Sequence, residues 1–408
     1  MDTNTAFILT LMVLGYAVVS GLVKRWYLAP ALIFVIVGMA LGPFGLNVLE
    51  GGQDTSTFTV LAQLALTVIL FNQAAELDLS AVVRRREVTF RLLVIGIPLA
   101  ITLGVVTALL VLPIMPLWEA VCLAAIVAPT EVALIDALLE DERIPERIRH
   151  ALSTESGFYD GFALAALLAA LALASEQADS DATHWGWFLV RTELVSVLVG
   201  LGVGLAGGWV IGSSRKRGWM SDTWAQLATL AIALVCFQVG EHLHGSGFVA
   251  AFAGGLAFAF ATRRVGSRPD THVSDAAGQL LELLVFAMFG GYAVVVGWRD
   301  AGWRVVVFAI VALLLVRLVA VSVALVRSDV PMRDRLFIGW FGPRGISPLV
   351  LGLLVIERGD IVQESLIAQV VAVTVTLSLV VHSLTAWPGI KWLVAPLAPD
   401  ESPARTPP

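Results

Sequence analysis

Several ionisable side chains lie within long apolar runs of this 408-residue chain, where they would face lipid or a buried cavity. Hydrophobic residues make up 58% of the sequence and charged residues only 14%, whereas a typical soluble domain is about 25% charged. A charge at membrane depth is costly, so each such residue is a candidate for function. The composition excludes a soluble multidomain enzyme, and two cysteines within apolar runs do not form a disulfide scaffold.

The apolar run over residues 151–175 carries the best candidate for ion chemistry. Ser156 and Asp160 are four residues apart and share one face of a helix. At about 1.5 Å per residue, Asp160 lies about 14 Å into the run, whereas Glu155 lies only about 6 Å deep. We therefore predict that Asp160 acts near the midplane and that Glu155 is an interfacial acid with a partner.

Arg317 lies about 15 Å deep in the run over residues 302–326. A guanidinium at this depth needs a carboxylate, because an unpaired buried charge is strongly destabilising. The arginine stem reaches several ångströms, so depth alone does not choose a partner. The candidates are Glu131, Glu155, Asp160 and Glu282.

Two apolar runs are interrupted by a proline within two residues of a charged residue. Residues 128–131 read Ala-Pro-Thr-Glu, and residues 342–345 read Gly-Pro-Arg-Gly. The first interruption alone also fits a simple proline kink with Glu131 paired to a neighbour. These are the fifth and the twelfth apolar runs of the chain. Because an odd number of positions separates them, they are predicted to cross the membrane in opposite directions. Two broken helices in that relation are typical of an inverted-repeat transporter.

The chain divides into thirteen apolar runs, each about long enough to cross ~30 Å of hydrocarbon. They cover residues 5–23, 28–46, 57–75, 90–111, 117–139, 151–175, 187–212, 223–241, 246–262, 278–298, 302–326, 336–356 and 365–387. One set of alternate loops and ends holds 19 Lys and Arg residues, and the opposite set holds 3. This bias predicts an extracellular N-terminus and a cytoplasmic C-terminus.

Residues 1–387 are thus predicted to form one transmembrane domain. Positive charge follows the first run rather than preceding it, which argues against a signal peptide. Residues 388–408 are rich in proline and are predicted to be a short, disordered cytoplasmic tail.

Five stretches resemble the motifs of bacterial sodium/proton antiporters. Thr130-Glu131 is similar to the Thr-Asp pair of that family's first broken helix. Residues 155–161, Glu-Ser-Gly-Phe-Tyr-Asp-Gly, are similar to Glu-Ser-Gly-x-Asn-Asp-Gly. The other stretches are residues 71–79, 246–252 and 339–345. The chain is therefore identified as a member of the monovalent cation:proton antiporter superfamily, in its NhaP-like branch.

The resemblance implies which residues bind the ion. Asp160 would carry the cation and the proton, and Ser156 with the chain around Thr130 would complete the ion shell. Glu131 and Tyr159 would lie beside them. At these two positions the family usually has Asp and Asn, so this chain departs from the pattern there.

The resemblance also implies the surrounding structure. Glu155 would pair with Arg317, and Arg344 would neutralise the second broken helix. The expected fold is all-α, with about thirteen transmembrane helices in two inverted repeats divided into core and dimerisation domains. The resemblance further implies that the protein is a homodimer in the plasma membrane. It implies no cofactor, no resident metal and no nucleic-acid partner.

The implied activity is secondary antiport of a monovalent cation, Na⁺, K⁺ or Li⁺, against H⁺. One buried carboxylate binds either ion, so competition at one site gives exchange of one cation for one proton with no net charge moved. A channel-like or ion-sensing relative is the alternative that the two departures leave open. An intramembrane aspartyl protease needs Gly-x-Gly-Asp for its second acid, and that motif does not occur in the sequence.

Overall fold

The computed structural model describes residues 3–48, 55–77, 88–174, 182–267, 269–358 and 361–395, and each regular element in these ranges is a helix. We number the helices α1 to α13, and the two halves of an interrupted helix carry the letters a and b. Their bounds are α1 Thr3–Arg25, α2 Pro30–Leu41, α3 Thr55–Glu76, α4 Val88–Val111, α5a Leu117–Val127, α5b Val132–Leu139, α6 Glu146–Ala174, α7 Ala182–Lys216, α8 Asp222–His242, α9 Gly247–Arg264, α10a His272–Gly291, α10b Ala293–Asp300, α11 Trp303–Ala324, α12a Met332–Trp340, α12b Ile346–Arg358 and α13 Glu364–Val394.

A helix, or a pair of helices separated by a short break, coincides with each of the thirteen predicted runs. Within the described ranges, eight helices are long and apolar enough to span a membrane, or nine when α5a and α5b count as one bent span. The total of thirteen spans and the orientation of the termini stay predictions. Arg84 to Arg86, Arg268 and Arg405, which contribute to the charge pattern, lie outside the described residues.

The last helix differs from the sequence expectation. It continues past residue 387 to Val394, with Pro388 inside it. Ile390 and Leu393 are buried in that final turn, and the Nη1 atom of Arg333 donates to the carbonyl of Ala395 at 2.6 Å. Packing therefore keeps the beginning of the predicted tail helical, and residues 396–408 lie outside the described residues.

The helix interruptions occur in matching pairs, seven helices apart. α5 bends by 41° between its halves, and α12 breaks between Trp340 and Ile346. α4 and α11 each contain a π-helical turn, at Leu92–Gly96 and Val311–Val316. Such turns are frequent near functional sites, and the second one ends directly before Arg317. This pairing is what two inverted repeats with crossed broken helices require.

Helices α4, α5, α6, α11, α12 and α13 pack around the two breaks, whereas α7, α8 and α9 pack against one another and reach α3. Small residues permit the closest approach, between α7 and α9. A Cβ atom at Gly200, Gly204 or Gly208 would overlap backbone atoms of α9. This spacing of four residues is the small-residue packing expected of membrane helices. The assignment of these groups to core and dimerisation domains stays a prediction.

Candidate ion-binding site

The breaks in α5 and α12 contact each other directly. The backbone N–H of Glu131 donates to the carbonyl of Pro343 at 2.8 Å. Neither proline has an N–H, so each break exposes backbone groups that its own helix cannot satisfy. The crossing therefore brings half-helix ends, with their partial charges, to one point.

Arg344 compensates the carboxyl end of α5a. Its side chain is 2% exposed, and Nη1 donates to the carbonyls of Ala128 at 2.5 Å and Pro129 at 3.0 Å. The resemblance implied that Arg344 neutralises the second broken helix. In the structure its backbone belongs to that helix, but its guanidinium binds the first one. The carbonyls at the end of α5a carry partial negative charge, which explains this placement.

Arg317 pairs with Glu155, one of its four candidate partners. Nη1 lies 2.9 Å from Oε1, Nη2 lies 3.1 Å from Oε2, and both side chains are 3% exposed. Nη2 also donates to the carbonyl of Ile338, near the end of α12a, at 3.3 Å. Glu155 is thus a buried member of the site rather than the interfacial acid that its depth predicted.

Asp160 and Ser156 lie together beside the α5 break, as their spacing predicts. The hydroxyl of Ser156 donates to the carbonyl of Thr130 at 2.5 Å. Thr130 thus contributes its main chain. Asp160 is 2% exposed, and neither of its carboxylate oxygens has a hydrogen-bond partner among the described residues. Ser347 on α12b is its neighbouring hydroxyl.

Glu131 lies at the same crossing and is 1% exposed. Its two carboxylate oxygens are each 3.5 Å from a neutral donor, Nε2 of Gln73 and Oγ of Ser347. Tyr159 shares a buried apolar cluster with Ala128 of the α5 break. Its ring is buried in an apolar cluster with residues of α4 and α11, including Leu93 and Val316, and does not line the cavity described below. The phenol that replaces the family's Asn thus faces the π-helical turns.

A cavity of about 780 Å³ leads toward this crossing from the ends of α3, α6 and α10a. The charge pattern predicts that these ends are cytoplasmic. Five acidic residues line the cavity within the described chain, whereas its basic residues are two histidines. The acids are Glu76, Glu131, Asp136, Asp275 and Glu282, and the histidines are His150 and His272. Ser156 and Glu131 line the wall, and Asp160 lies one helical turn beyond Ser156.

Four polar residues of the site were missed by sequence reasoning. Gln73 and Ser347 contact Glu131, and Ser378 and His382 on α13 contact the α12 break. A signal for the last two was present, because Ser378 and His382 are four residues apart in an apolar run. Ser156 and Asp160 show the same spacing.

The sequence profile of the sodium/hydrogen exchanger family matches residues 8–392. A K⁺/H⁺ antiporter, NhaP, from Alkalimonas amylolytica is 26% identical over 98% of this chain, and the match covers 69% of that protein. A K⁺/H⁺ antiporter, NhaP2, from Shewanella baltica is 24% identical over 87% of this chain, and the match covers 61% of that protein. These relatives are therefore longer than the present chain.

Solved structures give the same result for the fold. The structure of the sodium proton antiporter MjNhaP1 from Methanocaldococcus jannaschii at pH 8 aligns with a TM-score of 0.77 and 17% identity. The alignment covers 93% of this chain and 98% of that one. Profile, relatives and fold agree, and they exclude the protease alternative. The chain belongs to the sodium/hydrogen exchanger family, a family of secondary cation/proton antiporters rather than enzymes.

Proposed function

We propose that this protein exchanges one monovalent cation for one proton at Asp160. The observation that carries the proposal is the Asp160 carboxylate, which is buried and lacks a hydrogen-bond partner among the described residues. It lies beside the crossing where a backbone hydrogen bond joins the two broken helices, between Glu131 and Pro343. A buried carboxylate without a partner is stabilised either by a proton or by a desolvated cation, so the two ions compete.

The surrounding ligands favour a small hard cation. Asp160 supplies a charged oxygen, and Ser156, Ser347 and the carbonyl of Thr130 supply neutral ones nearby. Oxygen donors of this kind suit Na⁺, K⁺ or Li⁺ rather than a transition metal. The acidic cavity raises the local concentration of cations on the way to this site.

We further propose that the protein lies in the plasma membrane with its N-terminus outside, so that the cavity opens toward the cytoplasm. We also propose that it functions as a homodimer. A reporter that is active only outside the cytoplasm should stay silent when fused to the C-terminus. Solution mass in detergent, corrected for bound detergent, should equal two copies of the chain. An active C-terminal reporter would contradict the orientation, and a monomer mass would contradict the dimer.

Purified protein in liposomes tests the exchange itself. Added cation outside should drive proton movement that a trapped pH dye reports. Asp160→Asn keeps the side-chain shape but removes charge and titration, so exchange should disappear while the protein still folds and inserts. Asp136→Asn, which removes another cavity acid, is the matched control and should retain exchange. Near-normal exchange by the Asp160 variant would contradict the proposal.

The same liposomes test the stoichiometry. One cation against one proton moves no net charge, so Na⁺-driven exchange should not respond to an imposed membrane potential. Acceleration by either sign of potential would reveal a second titrating group, and Glu131→Gln should then restore voltage independence. Cation flux that follows voltage without proton movement would instead favour the channel-like alternative.

A further inference from the structure

Two polar residues on α13 contact the backbone of α12 at two points, just before its break and within it. Ser378 is fully buried and His382 is 3% exposed. The Oγ atom of Ser378 accepts the backbone N–H of Arg344 at 2.6 Å. The Nε2 atom of His382 lies 3.0 Å from the carbonyl of Trp340, the last residue of α12a. One helix thus binds the last residue before the break and the arginine within it.

The two contacts are linked to each other. Nδ1 of His382 lies 3.2 Å from Oγ of Ser378 and 2.8 Å from the carbonyl of Ser378. In a neutral ring that donates from Nε2, Nδ1 accepts from the hydroxyl of Ser378, which fixes the imidazole on its own helix and directs Nε2 across the interface. The carbonyl of Trp340 also accepts the N–H of Gly342 at 3.0 Å, so His382 occupies its second acceptor position.

We propose that His382 and Ser378 are positioning residues for the proposed exchange, which set the α12 break so that Arg344 reaches the carbonyls of α5a. The proposal rests on the proposed function, because Arg344 compensates the break that carries Thr130. Ser378 fixes the backbone of Arg344, and His382 fixes the carbonyl four residues earlier. With both ends of the break held, the guanidinium lies on Ala128 and Pro129 in a single geometry.

His382 acts by donating a hydrogen bond from Nε2 to the carbonyl of Trp340, and not by a change of charge on its ring. Arg344 and Arg317 are the charged side chains that act on the imidazole, from α12 and α11. The acceptor opposite Nε2 is a carbonyl, which accepts from a neutral ring or from an imidazolium. A neutral donor at the same place should therefore replace His382.

Glutamine and asparagine make this claim testable. The amide N–H of glutamine lies about where Nε2–H of histidine lies, whereas asparagine reaches only as far as Nδ1. His382→Gln should thus keep the bond to Trp340, and His382→Asn should lose it with little change in polarity. His382→Leu removes every donor, and Ser378→Ala removes the acceptor for Arg344. Ser383 is the next polar residue on α13, and its hydroxyl accepts the backbone N–H of Ala29 rather than a group of the break. Ser383→Ala is therefore the control.

Cation-driven proton movement in liposomes is measured for each variant beside the wild type and Asp160→Asn. Asn and Leu at position 382 should lower the maximal rate about tenfold or more, equivalent to about 1.4 kcal/mol in the barrier, and should raise the half-saturating cation concentration. Ser378→Ala should lower the rate in the same direction. Gln at position 382 and Ser383→Ala should stay within about twofold of the wild type, with the wild-type pH profile.

Three results would overturn the positioning role. The first is a wild-type exchange rate in His382→Leu. The second is a loss of exchange in His382→Gln as complete as in His382→Leu, which would assign the role of His382 to titration of its ring. The third is equal loss in Ser383→Ala. If the wild type itself shows no exchange, the proposed function fails separately. The rise in Tm with added Na⁺ then decides the role of His382, since it should persist in Gln and vanish in Asn and Leu.

Discussion

The two broken helices of this protein have similar geometry but opposite charge. The α5 break carries an acid, Glu131, whereas the α12 break carries a base, Arg344. Arg344 binds the carbonyl end of α5a, and the N–H of Glu131 binds the α12 break at Pro343. Each break therefore supplies a group that the other lacks.

The carboxyl ends of the two first halves are compensated differently. The described contacts of the α5a end come from Arg344, together with the hydroxyl of Ser156 on Thr130. The α12a end is bound by two side chains from different helices, Arg317 on α11 and His382 on α13. The end of α12a is thus bound by side chains from two other helices, whereas the end of α5a is bound by the other break and by α6. Substitutions at the two breaks should then have unequal effects.

Removal of Arg344 should have the largest effect. Arg344→Ala leaves the carbonyls of Ala128 and Pro129 without their donor at a cost of about 1–3 kcal/mol each. Exchange should fall about 100-fold or more, since each 1.4 kcal/mol in a barrier is about tenfold. Liposome flux measures the rate, and thermal unfolding in detergent measures stability.

Arg344→Lys is the matched control, because it keeps the charge but not the planar guanidinium that reaches two carbonyls. Its exchange rate should lie between those of the wild type and the alanine variant. Wild-type flux in Arg344→Ala would show that the end of α5a needs no cation, and the comparison between the breaks would fail.

Glu155 and Arg317 should show the next largest effect, on stability. Removing one member of a buried pair strands the other charge and costs about 3–5 kcal/mol. Glu155→Ala and Arg317→Ala should each lower Tm sharply, and the double variant should be less damaging than their sum. A double-mutant cycle on unfolding gives the coupling energy.

The exposed pair of Lys24 and Glu140 is the control for that cycle. Both side chains are more than half exposed, at 55% and 53%, so their coupling should stay below about 1 kcal/mol. Strict additivity at Glu155 and Arg317 would mean that the stabilising partner of Arg317 is the carbonyl of Ile338 alone.

Gly342 and Gly345 should show intermediate effects that separate the two sides of the α12 break. A Cβ at Gly342 would overlap the guanidinium of Arg317, which the bond to Glu155 prevents from moving. A Cβ at Gly345 would lie 2.7 Å from Cβ and Cγ of Glu131. Gly342→Ala should therefore lower Tm, at a cost of about 1–3 kcal/mol, and Gly345→Ala should mainly reduce cation affinity.

Gly15→Ala provides the comparison for both variants. Nothing lies within 4 Å of the position that a Cβ would take at this residue of α1, and alanine favours a helix more than glycine does. Its flux and Tm should match the wild type. Equal effects of all three substitutions would show that the space around the break does not matter.

The sequence predicts the helices and the meeting of Ser156 with the α5 break well, for a physical reason. Apolar length and the spacing of Ser156 and Asp160 are local properties, and the crossing of the helices brings Thr130 to them as expected. The interruptions are local too, because proline removes a backbone donor wherever it stands.

The partners across helices could not be derived in the same way. Arg317 had four acids within reach of its stem, and only the packing of α6 against α11 and α12 selects Glu155. Depth along one helix placed Glu155 near an interface, yet neighbouring helices bury it. Arg344 binds α5 rather than α12 because the partial charges that attract it belong to another part of the chain. Such contacts depend on tertiary structure, which no spacing in the sequence encodes.

The smallest effect is expected outside the membrane, at Asp141 between α5b and α6. Arg143 donates to it from Nε at 2.9 Å and Nη2 at 2.6 Å, and these bonds hold the pKa of Asp141 well below its usual range. A lowered folded-state pKa stabilises the fold above the unfolded value of about 3.9, and this contribution is lost as pH falls through the folded value. Asp141→Asn should lower Tm by no more than about 2 °C at pH 7, because Arg143 is 46% exposed, although Asp141 is only 8% exposed, and a pair with one solvated partner contributes little. The difference from the wild type should shrink below about pH 4. Thermal unfolding between pH 2 and pH 7 measures it, with Arg143→Gln as the control from the other side of the pair. A loss at pH 7 as large as that of Glu155→Ala would contradict the distinction between the fully buried pair at the breaks and the partly exposed pair in the loop.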